Sequence, residues 1–363
     1  MPQQVFNFGA GPAMLPIPVM EKIRDEFLDF QGMGISIIEI SHRAKQFEKV
    51  LVDAQERFRQ LTNLPANYKI LFVHGGARMQ FAALPLNLAD RSPGKKCLYV
   101  ETGNFAKLAH KDAKPFGDIR VIASSAATNY DHIPALDASM IDQDAAYLHL
   151  TGNNTIYGSR WQKFPETGAV PLVVDQTSEM LSRVLDFSQF GCVYAGLQKN
   201  LGPAGTAIVV IREDLLEYAS PQTPTLLNYK VCAADNSLTN TANTFAIYVT
   251  GLVLEWLQQQ GGVAAIEKIN EQKAKILYNL IDSGDFYRGV IQPEFRGTMN
   301  VSFNLPSEEL EAKFLKEAGS LGLYALKGHR SVGGIRASIY NAMPLSGVEI
   351  LAGFMKEFAD KNG

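Results

Sequence analysis

Between residues 45 and 260, short apolar runs alternate with stretches of helical period, and this restricts the fold more than any other feature of the chain. Runs at residues 70–73, 97–100, 120–123, 146–150, 171–174, 191–195 and 206–211 predict seven strands. Residues 47–62, 79–88 and 105–113 predict helices among them. Alternation of this kind implies a mainly parallel sheet covered by helices, the α/β class. The last two runs differ. Too few residues join them for a crossover helix, so they are expected to pair antiparallel within a mixed sheet.

After Gly261-Gly262 the pattern changes. A long helix over 263–280 leads to a run in which Met299, Val301, Phe303 and Leu305 share one face and Asn300, Ser302 and Asn304 the other. A helix from Ser307 follows. Ile335, Ala337 and Ile339 then alternate with Arg336, Ser338 and Tyr340. Ser346-Gly347-Val348-Glu349 has capping-box spacing and predicts the start of a last helix. These segments predict a small α+β domain of residues 261–363, joined by residues 1–15, beside a large domain of residues 16–260.

Hydrophobic residues make up 46% of the 363 and charged residues 20%, enough apolar material for a large core. A net charge of −3 gives no reason to expect a nucleic-acid partner. Cys97, Cys192 and Cys232 are widely spaced and odd in number, which fits a reducing compartment. Neither the cysteines nor the six histidines stand at metal-ligand spacing, so no metal is expected. Residues 1–8 carry no signal-peptide pattern, and the apolar segment 244–257 is too short to span a bilayer. A soluble cytoplasmic enzyme is the expectation.

In open parallel sheets, ligands bind outside the carboxyl ends of the strands, and chemically capable residues gather there. Lys199 lies between two apolar runs in Tyr194-Ala195-Gly196-Leu197-Gln198-Lys199-Asn200-Leu201-Gly202-Pro203-Ala204-Gly205. A desolvated lysine becomes a nucleophilic amine able to form an imine with an aldehyde cofactor, of which pyridoxal phosphate is the common one. A solvated turn lysine fits the same stretch. Asp175 ends the 171–174 run with Ser178 just beyond; it suits either a protonated pyridine nitrogen or a helix N-cap. His74-Gly75-Gly76-Ala77-Arg78-Met79-Gln80 reads as a phosphate-binding turn entering a helix, or as a plain tight turn. Thr151-Gly152-Asn153-Asn154-Thr155 offers polar groups to a ligand, or is simply a loop. Phe105 fits a ring stack or the core. His42-Arg43, His329-Arg330 and Arg336 suit a substrate with two or more anionic ends. A surface ion pair competes for each arginine, least convincingly for Arg336 on its alternating strand.

Taken together, these residues resemble the class V aminotransferases, fold-type I enzymes of pyridoxal phosphate, and within them the branch that acts on phosphoserine. The similarity runs nearly end to end. It is carried by Phe8-Gly9-Ala10-Gly11-Pro12-Ala13-Met14-Leu15-Pro16, by Ile40-Ser41-His42-Arg43 and by the His74 and Lys199 segments. Leu238-Thr239-Asn240-Thr241 and Gly328-His329-Arg330-Ser331-Val332-Gly333-Gly334-Ile335-Arg336-Ala337-Ser338 extend it.

The resemblance implies a fold-type I enzyme whose large domain holds a seven-stranded sheet. It implies that Lys199 attaches the cofactor and then moves a proton between the substrate Cα and the cofactor, that Asp175 pairs with the pyridinium nitrogen and that Thr155 bonds the phenolic oxygen. Phe105 takes the place of the family's usual tryptophan over the ring, with Ser178 near the cofactor. Ala77, Arg78 and Gln198 match phosphate-binding positions, and Ala77 and Met79 replace glycines often found there. Asn240 and Thr241 match phosphate contacts from a second subunit, which implies a homodimer with shared sites. Arg336 is the implied clamp for the α-carboxylate. His42, Arg43, His329 and Arg330, with Arg78 in reach, form the implied pocket for a distal phosphate or carboxylate. The implied reaction is ping-pong transfer from glutamate to 3-phosphohydroxypyruvate, giving O-phosphoserine and 2-oxoglutarate for serine biosynthesis, with 4-phosphohydroxythreonine of pyridoxine synthesis as a second acceptor–product pair. Another class V aminotransferase and a non-catalytic cofactor-binding protein are the alternatives. A cysteine desulfurase needs a late reactive cysteine, and none follows Cys232.

Overall fold

The computed structural model describes residues 5–363; residues 1–4 of the expected small domain lie outside that range. The strands are β1 (Phe6–Asn7), β2 (Tyr68–His74), β3 (Lys96–Glu101), β4 (Asp118–Ser124), β5 (Tyr147–Thr151), β6 (Leu172–Asp175), β7 (Cys192–Gly196), β8 (Thr206–Arg212), β9 (Arg288–Gly289), β10 (Asn300–Asn304), β11 (Leu323–Tyr324) and β12 (Ile335–Ser338). The helices are α1 (Ile17–Glu26), α2 (Lys45–Thr62), α3 (Gly76–Leu88), α4 (Asn104–Ala113), α5 (Tyr229–Ala234), α6 (Thr244–Gln259), α7 (Val263–Ile281), α8 (Glu308–Ser320) and α9 (Leu345–Asn362).

The seven predicted strands form one sheet in the order β2-β8-β7-β6-β5-β3-β4. All run the same way except β8, which is antiparallel to both β7 and β2. The short connector between β7 and β8 forces that reversal, and it is the connector that carries Lys199. Alternate residues of each strand feed two cores. Ile70, Phe72, Leu148, Leu150, Val174 and Ile208 face one layer, with α2 and α6 residues such as Phe47, Phe58 and Leu254. Leu71, Val73, Tyr99, Tyr147, Val173 and Val209 face the other, with Phe81 and Leu84 of α3 and Ala109 of α4. Burial of both strand faces is what near-continuous apolar runs require.

A smaller unit follows α6. Strands β12, β10 and β9 form an antiparallel sheet, and β1 pairs parallel with β11. Phe6 and Phe8 of the N-terminal segment pack into its core with Leu277, Phe303, Phe314 and Met355.

Two helix starts differ from the sequence expectation. Helix α3 begins at Gly76 rather than Met79, because Gly75, at φ +87°, turns the chain directly into it. Helix α9 begins at Leu345, with Pro344 at its N-cap position and no side-chain cap, so Ser346 lies within the first turn and forms no capping box. Ser307 does cap α8, its hydroxyl accepting from the N–H of Leu310.

Candidate active site

The carboxyl ends of the parallel strands converge on a pocket. Asp175 is the last residue of β6, and Thr151 the last of β5, with Thr155 on the loop beyond it. Gln198 and Lys199 reach the pocket from the connector after β7, Ala77 and Arg78 from the start of α3, and Phe105 from α4; Ser178 follows Asp175.

Lys199 is 7% exposed, which excludes a solvated turn. Its Nζ donates to Thr155 Oγ1 at 2.5 Å and stands 5.4 Å from the centre of the Phe105 ring. Burial lowers the amine to about 8; Asp175 partly opposes that shift, and the Arg336 charge reinforces it. Lys199 is therefore closer to the neutral, nucleophilic form than an ordinary lysine.

Asp175 caps no helix. Its Oδ1 accepts from the N–H and the hydroxyl of Thr177, at 2.9 and 2.5 Å, closing a tight turn. No donor among the described residues reaches Oδ2. Burial raises this carboxyl, opposed by the Thr177 bonds and the charge of Lys199. A cationic N–H placed against Oδ2 would restore the ionised form. Ser178 is fixed through Asn153: its Oγ donates to Asn153 O at 2.7 Å and accepts from Asn153 Nδ2 at 2.8 Å.

The first N–H groups of α3, which include those of Ala77 and Arg78, have no intrahelical acceptors and lie at the positive end of the helix dipole, an anion site. The Arg78 side chain is directed elsewhere. Its Nε donates to Asp112 Oδ2 at 2.7 Å on the exposed side of α4, so its main chain, not its guanidinium, is presented at the helix start.

The basic residues are arranged differently. Arg336, on β12, has no ion pair among the described residues, and its Nε is buried without a hydrogen-bond partner. Burial lowers its pKa, and its charge is felt at Lys199. His329 is lowered by burial, then by the charges of Arg336 and Arg330, so these three residues are neighbours. The loop carrying His329 and Arg330 closes through Gly328 N–H donating to Gly334 O at 2.8 Å. A Cβ on Gly328 would lie 1.9 Å from the Gly333 carbonyl oxygen, so only glycine fits. His329, Arg330 and Arg336 lie outside the lining of the Lys199 pocket, as do His42, Arg43, Asn240 and Thr241; Arg43 and Thr241 are exposed.

Sequence reasoning missed Thr177, although Asp-x-Thr is the spacing of a side-chain-closed turn. It also missed a platform beneath Phe105. There Glu101 accepts from Tyr130 OH at 2.6 Å and bonds His110 Nε2 at 2.6 Å, while Tyr130 packs on Tyr157 with ring centres 5.0 Å apart.

These groups form a buried amine held toward its neutral form, a buried carboxylate with a free oxygen, and a helix-start anion site. A family model for class-V aminotransferases matches residues 5–351, and the chain belongs to that family. Its similarity is to one branch. It is 48% identical to the phosphoserine aminotransferase of Bacillus cereus over 99% of each chain, and 50% identical to that of Geobacillus kaustophilus over 98% of each. The solved phosphoserine aminotransferase of Bacillus circulans subsp. alkalophilus superposes with a TM-score of 0.95 at 46% identity, covering 99% of each chain. The pyridoxal-phosphate-bound enzyme of Trichomonas vaginalis gives 0.92 at 36% identity, covering 97% of this chain and all of that one. The fold is fold type I, and pyridoxal phosphate is the cofactor.

The residues present fit that group. Lys199 would hold its aldehyde, Asp175 Oδ2 its ring nitrogen, Thr155 its phenolic oxygen, and the start of α3 its phosphate. The buried carbonyl of Gln198, Oε1, has no partner, nor does Thr151 Oγ1, so polar capacity remains for a ligand.

Proposed function

We propose that the protein carries out the phosphoserine aminotransferase reaction of serine biosynthesis in the cytoplasm, moving the amino group of L-glutamate to 3-phosphohydroxypyruvate by ping-pong transamination. The observation that carries this reading is the buried, depressed amine of Lys199 between Asp175 and the unpaired guanidinium of Arg336. Bound pyridoxal phosphate supplies the aldehyde that the amine captures and an electron sink for the substrate α-carbon. Asp175 would keep the ring nitrogen protonated. With the cofactor bound, Lys199 would be the base that takes the substrate α-proton and the acid that returns a proton on the product side. Arg336 clamps the α-carboxylate through paired N–H bonds, which fixes Cα over Lys199. Phe105, beside the Lys199 amine, would cover one face of the ring and exclude water.

His42, Arg43, His329 and Arg330 supply the distal anion pocket, which must take either the glutamate side-chain carboxylate or a phosphate. The active form is a homodimer, with Asn240 and Thr241 reaching the cofactor phosphate of the second copy. Ile17, Met20, Phe27, Leu28, Met33, Ile35 and Ile38 are all exposed on one stretch of chain, an apolar surface suited to burial against that copy. The stretch lies beside the Asn240 segment, since Thr244 Oγ1 donates to Ile37 O at 3.3 Å. The smaller unit, residues 261–363 with 1–15, closes over the bound substrate. No helix of the described residues is long and apolar enough to cross a membrane.

Titrating the purified holoenzyme with glutamate tests the reading. The near-visible band of the bound cofactor bleaches, and 3-phosphohydroxypyruvate restores it. A band that glutamate leaves unchanged refutes transamination. Restoration by glyoxylate or oxaloacetate but not by the phosphorylated acid refutes the substrate assignment. Running 4-phosphohydroxythreonine in the same preparation shows whether the pocket also takes the longer amino acid.

A further inference from the structure

The turn after β12 is tied into the larger unit by buried amides that the chemistry above does not use. Asn341 is 6% exposed. Its main-chain N–H donates at 3.0 Å to Oδ1 of Asn200, the residue immediately after Lys199. Its Nδ2 donates to Leu181 O at 2.9 Å, and its Oδ1 accepts from Nδ2 of Asn270 on α7 at 2.8 Å. Asn270 Nδ2 also donates to Ser182 O at 3.0 Å, and Asn200 Nδ2 to Met180 O at 3.1 Å. Further along α7, fully buried Lys273 donates to the carbonyls of Ile339, Tyr340 and Met343 at 3.0, 2.8 and 3.0 Å. Its three protons meet three carbonyls.

These bonds bridge the two units of the fold. Residues 180–182 and Asn200 belong with the large sheet; Asn270, Lys273 and residues 339–343 belong with the smaller unit. Apolar side chains between two such layers specify distance but little direction. Buried amides specify both, because no water substitutes for a displaced partner. Leu181 is held at φ +58°, a conformation that persists only where surrounding contacts fix it, and the Asn341 bond to its carbonyl is one of them. The bridge therefore joins the strand of Arg336 at one end to the residue beside Lys199 at the other.

We propose that Asn341 is a positioning residue of the reaction: it fixes the spacing between Arg336 and Lys199, so that a carboxylate held at Arg336 brings the substrate Cα to the amine. The proposal rests on the roles given above to Lys199 and Arg336. It adds a residue that touches neither substrate nor cofactor, in a site where a displacement near 1 Å can cost about 10²-fold.

The test uses the Asn341→Ala holoenzyme, which keeps the main-chain bond to Asn200 but loses the side-chain bonds to Leu181 and Asn270 that orient the turn, following the cofactor band after mixing with glutamate and, separately, with phosphoserine. The half-saturating concentration is expected to rise about tenfold for both amino acids, with cofactor content and the resting spectrum unchanged. A role in stability alone would lower the melting temperature and the reacting fraction while leaving half-saturation where it was; that result overturns the proposal. A shift for one amino acid only overturns it as well. If the unsubstituted enzyme fails to bleach with glutamate, the transaminase reading has failed instead. Should Asn341→Ala not accumulate folded, Asn270→Ala removes the donor shared by Asn341 Oδ1 and Ser182 O and leaves both bonds donated by Asn341 in place. A smaller parallel rise, about twofold, is then expected, and no rise overturns the proposal.

Discussion

The cradle around Lys199 and the basic arm around Arg336 meet at one site but are held in opposite ways. In the cradle, Asp175, Thr177, Asn153 and Ser178 are bonded to one another on the ends of buried strands, and each is under 10% exposed. In the arm, Arg336 has no ion pair among the described residues, the imidazole of His329 bonds only Ser331, and Arg330 is exposed. The cradle is organised before any substrate arrives, which suits a cofactor that stays in place. The arm keeps its donors uncommitted, so their desolvation is offset only when an anion binds. This suits a pocket that takes glutamate in one half of the cycle and a phosphorylated acid in the other. In the proposed reaction the cradle supplies chemistry, and the arm supplies selection.

The largest effect should come from breaking the cradle. Lys199→Ala is expected to lower turnover by about 10⁴-fold or more and to abolish the absorbance band of lysine-bound cofactor, since nucleophile and proton carrier are lost together. Near-normal turnover would end the comparison. Arg336→Ala acts on the arm. It is expected to lower kcat/KM by about 10²-fold for glutamate and for phosphoserine alike, because both share the α-carboxylate. Arg330→Ala should cost less and weigh mainly on the phosphorylated substrate. Should Arg336→Ala impair phosphoserine alone, the two arginines have exchanged roles.

The contrast also explains what the sequence made legible. Lys199 and Asp175 stand where apolar strands end, so strand spacing alone brings them to one edge of a parallel sheet, as the register of β6 against β7 shows. The reversal of β8 followed from connector length. The start of α3 did not, because a glycine pair marks a turn without saying that the helix begins inside it. Ser346 followed the capping-box spacing, yet the chain had already entered the helix behind Pro344. The direction of Arg78 was illegible because its partner, Asp112, lies on another helix. Asn341 gave no local signal at all: its partners Leu181, Asn200 and Asn270 are distant in sequence and meet only when the two units dock. Residues placed by periodicity can be read from the chain, whereas residues placed by docking cannot.

A more modest effect tests whether the cradle is as dry as its geometry implies. In the cofactor-free protein only the neutral amine of Lys199 captures the aldehyde. Its pKa is depressed to about 8 by burial, with Asp175 opposing and Arg336 assisting. The capture rate should therefore rise about tenfold per pH unit below about pH 8 and level off above it. A rate still climbing at pH 10 would place the amine in water and make the cradle as open as the arm.

The smallest effect lies where the two regions touch. Phe105 faces the Lys199 amine and packs against the cluster of Tyr130, Ile156, Tyr157 and Ile291, which is also covered by Val332 from the loop of His329 and Arg330. Phe105→Trp enlarges the ring and adds stacking area, which is worth under about 1 kcal/mol here, or less than about fivefold in cofactor affinity. The added ring also presses on the cluster that Val332 covers, so any gain in the cradle is set against a shift in the arm. Cofactor release, followed by absorbance during dialysis, should slow slightly, while KM for the phosphorylated acceptor rises by a similar factor. If cofactor retention improved with no change in that KM, the platform of Glu101, Tyr130 and Tyr157 would be supporting the ring alone, and the two regions would be mechanically independent at this contact.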